Sequence, residues 1–170
     1  AYHRRADGVG AAAAGSDVEI GACATAGATE AVFAAMQALV DPGDRVLLFE
    51  PYWPWYLPCI RMAGGVPIAV RLEAPSWSLD ERELADVFAR ERPKLVITNT
   101  PHNPTGRVLA RAELERVAAL CVEHDALAIA DDVYENTLFG SAEHAALATL
   151  PGMAERTLTI GSASKLLSLT

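Results

Sequence analysis

The feature that most constrains this chain is a rhythm in its apolar residues. Short apolar runs alternate with longer stretches in which apolar residues recur at helical spacing. Strands buried on both faces read as continuous apolar runs, and intervening helices cover those faces, so the alternation predicts an α/β fold with a mostly parallel sheet. Val18 to Thr25 reads as a strand and Thr29 to Val40 as an alanine-rich helix, closed by the turn Asp41-Pro42-Gly43-Asp44. Arg45 to Glu50 is a buried strand, Trp55 to Ala63 a short helix ended by Gly64-Gly65, and Val66 to Leu72 a strand. Ser78 followed by Glu81 fits a capping box that opens a helix to about Arg90. Lys94 to Thr100, Leu127 to Ala130 and Thr157 to Ile160 are expected as strands, with helices over Arg111 to His124 and from about Ser164.

In sheets of this kind the ligand site lies at the carboxyl ends of the strands. Five polar or aromatic clusters fall there: Gly27-Ala28-Thr29, Pro51-Tyr52-Trp53, the run Asn99 to Gly106 (NTPHNPTG), Asp131-Asp132-Val133-Tyr134 and Ser162-Ala163-Ser164-Lys165. Each alone has an ordinary explanation as a turn, a helix cap, a core aromatic or a surface charge. All five on one sheet edge mark a binding site. The Gly8-to-Gly15 stretch lacks the spacing of a dinucleotide-binding loop and precedes a strand instead of following one.

The chain has 170 residues, enough for one domain with its own core. Its net charge of −8 argues against nucleic acid or an anionic membrane as partner. No apolar run reaches the roughly 20 residues that span a bilayer. Cys23, Cys59 and Cys121 are far apart and without metal-ligand spacing, which fits reduced thiols in a cytoplasmic protein. The chain opens on Ala-Tyr-His-Arg-Arg and stops just after a helical start, and so reads as an internal piece of a longer protein.

The strings NTPHNPTG, DDVY and SASK, in this order, resemble the fold type I, class I/II aminotransferases, which use pyridoxal 5'-phosphate. The resemblance runs from GATEAVFAAMQALVDPGD through FEPYWPWYLPCIRMAGG to PGMAERTLTIGSASK. It is nearest to the kynurenine aminotransferase and cysteine-conjugate β-lyase branch. It implies that residues 1–170 are the central part of the large cofactor-binding domain, with an N-terminal arm and a C-terminal small domain outside it.

By the same resemblance, Lys165 holds the cofactor aldehyde and moves the proton at the substrate α-carbon, and Asp131 pairs with the pyridinium nitrogen. Asn103 and Tyr134 hydrogen-bond the phenolic oxygen, and Trp53 stacks on the ring. Backbone amides of Ala28 and Thr29, with the Ser162 hydroxyl, bind the phosphate. The implied reaction is transfer of an amino group from an α-amino acid to a 2-oxo acid by a homodimer. The family usually has Asp-Glu where this chain has Asp131-Asp132. Its carboxylate-binding arginine, and a basic residue that follows the lysine, are implied to lie beyond Thr170. Two alternatives share the fold: a C–S β-lyase, and a non-catalytic sensor domain of a transcription regulator. Ser162 and Lys165 also fit the SxxK pattern of penicillin-binding enzymes, but the Ser-Asp-Asn and Lys-Thr-Gly strings that accompany it do not occur in the chain.

Overall fold

Neighbouring residues of the central strands belong to different cores. In a computed structural model, which describes residues 21–169, Val46 and Leu48 of strand β1 (Arg45–Glu50) face one side of the sheet and Leu47 and Phe49 the other. Strand β4 (Leu95–Asn99) divides likewise, with Leu95 and Ile97 on the first side and Val96 on the second. This is the two-residue period of a strand buried on both faces.

Helices supply the two covers. On the first side, α1 (Ala28–Leu39) brings Val32, Ala35 and Met36, and α2 (Tyr56–Met62) brings Tyr56, Cys59 and Ile60. On the second, α3 (Glu81–Glu91) brings Leu84, Val87 and Phe88, and α4 (Arg111–Glu123) brings Leu114, Val117 and Cys121. Strands β2 (Val66–Glu73), β3 (Ser78–Leu79), β5 (Leu127–Asp131) and β6 (Thr157–Ile160) complete the sheet, in the order β3-β2-β1-β4-β5-β6. All pairings are parallel except that of β2 with the short β3. A single 3-10 turn at Leu147–Thr149 packs under the second face, and α5 (Ala163–Leu167) follows β6.

The predicted α/β sheet is therefore present, with three departures. Residues 21–25 form no strand, and the rest of the expected Val18-to-Thr25 strand lies outside the described residues. A strand needs a neighbour to satisfy its backbone, and no described residue pairs with this segment. The capping box at Ser78 and Glu81 is not formed. Ser78 instead pairs with Glu73 in the β2–β3 ladder, and Asp80 caps α3 by accepting from the amides of Arg82 and Glu83 at 2.8 and 3.1 Å. Asp80 and Glu83 carry the same three-residue spacing two positions later. Third, β3 and the 3-10 turn were not expected; both are too short for a periodicity to register. Among the described residues, no helix is long and apolar enough to cross a membrane.

Candidate active site

From β1 the sheet extends to β2 on one side and to β4 on the other, so chain connections leave their carboxyl ends in opposite directions. A crevice opens at such a reversal. All eight residues singled out in the sequence line one cleft at these strand ends: Ala28, Thr29, Trp53, Asn103, Asp131, Tyr134, Ser162 and Lys165. Tyr56, Asn99 and Val133 line it with them. A larger hollow of about 510 Å³ lies against α4, lined by Val122, Leu150 and charged surface residues, with none of the eight.

Local chemistry sets the backbone and several side chains around the cleft. Gly27 stands before α1 with φ 86°, a conformation that favours glycine, and offers no side-chain acceptor to the helix. The first amides of α1 thus reach the cleft without a side-chain cap from Gly27. Trp53 packs edge-on against Tyr56, with ring centroids 5.3 Å apart. The run after β4 is tied down at every turn. Thr100 Oγ1 accepts from the Leu109 amide at 3.0 Å, Thr105 Oγ1 meets His102 Nδ1 at 2.8 Å, and Arg107 pairs with Glu113 of α4 at 2.7 Å. Buried Asn99 links two strand ends. Its Oδ1 accepts from the Asn103 amide and its Nδ2 donates to the Asp131 carbonyl, both at 2.7 Å. Ser162 caps α5, accepting from the Lys165 amide at 3.5 Å.

The electrostatics single out two groups. Burial pushes the Asp131 carboxyl up from the usual carboxylate range, opposed by the hydrogen bond from Tyr56 and the Val133 amide and reinforced by the Asp132 charge. The chain has two lysines, Lys94 and Lys165. Lys94 precedes β4, at the opposite end of that strand from the cleft, and is bound to Asp44 and Asp41 at 2.6 and 2.9 Å. Those carboxylates raise its proton affinity and hold it charged. The Lys165 side chain makes no ion pair or hydrogen bond with the described residues and lines the cleft. Asp132 is buried too, but its Oδ1 lies 3.3 Å from His144 Nε2, away from the lining residues.

The family described as Aminotransferase class I and II matches residues 11–170. The chain belongs to that family. Kynurenine–oxoglutarate transaminase 3 of Mus musculus is 46% identical over 154 residues, covering 85% of this chain and 34% of that protein. Kynurenine–oxoglutarate transaminase 1 of Homo sapiens is 46% identical over 157 residues, covering 86% of this chain and 37% of that protein. The solved N-succinyldiaminopimelate aminotransferase of Mycobacterium tuberculosis superposes with a TM-score of 0.80 at 43% identity, over 84% of this chain and 37% of that one. The chain thus spans roughly a third of the length of the relatives it matches.

Class I and II aminotransferases use pyridoxal 5'-phosphate, and the cleft's donor set suits that molecule. A dianionic phosphate matches helix amides left without a side-chain cap. A ring nitrogen that takes up a proton matches a buried carboxylate, and an aldehyde matches an amine that no described residue engages. An aromatic wall at Trp53 matches the ring itself. Among the lining residues not expected as site residues, Asn99 and Tyr56 have side chains hydrogen-bonded to other strand ends. Asn99 heads the NTPHNPTG string, yet its amide acts on backbone groups that only the folded sheet brings near. Tyr56 meets Asp131 across 75 positions of sequence, and no local pattern carries that signal.

Proposed function

We propose that the full-length protein is a pyridoxal-phosphate-dependent transaminase, moving an amino group from an α-amino acid to a 2-oxo acid. One observation carries the reading: Asp131, buried, and Lys165, the lysine that no carboxylate of the described residues holds, line the same cleft at the sheet's reversal point. Bound cofactor supplies an electron sink for negative charge at the substrate α-carbon. The Asp131 carboxylate keeps the proton on the ring nitrogen, which the sink requires. Asn103 and Tyr134 would donate to the phenolic oxygen, and Trp53 would cover a ring face. Amides of Ala28 and Thr29, with the Ser162 hydroxyl, would hold the phosphate. Lys165 would hold the aldehyde in the resting enzyme, and its Nζ, freed when the substrate amine displaces it, would move the proton from the substrate α-carbon to the cofactor side.

Residues 1–170 are in this reading the central part of a large cofactor domain, and the full-length enzyme is a cytoplasmic homodimer. The odd number and wide spacing of the three cysteines support a reducing compartment. Borohydride reduction of the loaded full-length enzyme, followed by peptide mapping, should place the cofactor label on Lys165. Lys165→Ala should abolish turnover. A label on Lys94 defeats the assignment. Kynurenine paired with 2-oxoglutarate heads the substrate panel because the named relatives act on that pair. Release of ammonia and a 2-oxo acid without amino transfer would instead indicate a β-lyase.

A further inference from the structure

We propose that Tyr56 is a positioning residue for this chemistry, its hydroxyl holding Asp131 ionised and aimed at the cofactor's ring nitrogen. The inference rests on the function proposed above, but the contact behind it belongs to the protein alone. Tyr56 sits in the first turn of α2 and is 2% exposed. Its hydroxyl donates to Asp131 Oδ2 at 2.5 Å. Asp131 is 5% exposed, and among the described residues its Oδ1 receives only the long 3.4 Å contact from the Val133 amide.

The carboxylate is thus divided between two tasks. Oδ2 is taken by a neutral donor, and Oδ1 retains acceptor capacity for an N–H from the cleft. Without that donor, burial and the neighbouring Asp132 charge favour a protonated Asp131. A neutral acid cannot favour a proton on the ring nitrogen. Tyr56 serves well because burial and the surrounding carboxylates raise its own hydroxyl far above its ordinary value, so it stays a donor at every working pH. The groups that bear on Asp131 are Tyr56 from α2, Asp132 and the Val133 amide beside it, with Tyr134 and Lys165 lining the same cleft. The T-shaped contact of Tyr56 with Trp53 ties the same residue to the wall of the cleft.

The test compares wild type, Tyr56→Phe, Asp131→Asn and the double variant in the full-length protein. Tyr56→Phe keeps the ring, and so most of the packing. In cofactor-free protein, the carboxyl ¹³C resonance of Asp131 should titrate at higher pH in Tyr56→Phe. In loaded enzyme, kcat/KM should fall on the order of tenfold to a hundredfold, the range of one hydrogen bond to a charged group. The pH midpoint of the bound cofactor's absorption band should rise, because less positive charge stays on the ring. In the Asp131→Asn background, Tyr56→Phe should leave that midpoint where it is. A tyrosine with only a packing role lowers the melting midpoint and leaves the Asp131 titration unmoved, and that result overturns the proposal. If the titration moves while wild-type protein takes up no pyridoxal phosphate, the coupling stands and the proposed function falls.

Discussion

Two adjacent acids follow one apolar strand, and their surroundings assign them different work. Asp131 faces the cleft, whereas Asp132 lies against His144. Asp131→Asn should therefore lower kcat/KM by about a hundredfold or more, the scale of one misplaced charge at a reacting centre. Asp132→Asn should keep kcat within a few-fold and lower the melting midpoint, because a buried partner of His144 is lost. Equal losses of activity in both would mean the wrong acid was chosen. Stability gives an independent check. The folded state raises the Asp131 proton affinity, so its favourable contribution is complete below the unfolded carboxylate range and disappears as pH rises through the folded value. At neutral pH the cofactor-free Asp131→Asn protein should melt at or above wild type, and that advantage should vanish on acidification. At this scale the sequence displayed every group that stands at a strand end, because a polar residue closing an apolar run is a local signal. Tyr56 escaped because its partner lies on another element, and a tyrosine within a short apolar helix reads as core.

Among elements, the central strands were legible nearly to the residue. Burial on both faces leaves little freedom in β1, which runs over Arg45–Glu50 as its apolar pattern indicates. Helix ends shifted by a residue or two, the usual spread. The cap of α3 was misread because two overlapping acceptor–glutamate pairs compete, and the ladder with β2 claims Ser78. Asp80→Ala should accordingly cost about 1 kcal/mol in chemical denaturation, and Ser78→Ala much less. The entry to α1 is more consequential. A Cβ at Gly27 meets nothing within 4 Å, so Gly27→Ala is penalised by backbone conformation alone. Relaxation of that strain would reorient the first amides of α1. The expected result is roughly tenfold weaker uptake of pyridoxal phosphate, for a strain of about 1–2 kcal/mol, with little change in melting of the cofactor-free protein. Titration of the cofactor-free protein measures it.

At the scale of the molecule, the sheet ends on β6, which pairs with β5 and, among the described residues, with nothing on its other side. Leu158 of that strand is 44% exposed. Residues 1–170 produced alone should aggregate or melt without a sharp transition, and should take up cofactor weakly. A soluble monomer with a sharp transition, raised by pyridoxal phosphate, would refute this. No periodicity in the sequence reveals which strands lack a neighbour. The strand order has a further consequence for synthesis. On the side of β1 that holds the cleft, β4, β5 and β6 are added outward in the order in which a ribosome delivers them. Each new strand finds its neighbour already made, and Lys165 follows one turn beyond β6. With the proposed role for Lys165, a nascent chain cannot capture the aldehyde before β4, β5 and β6 have been made.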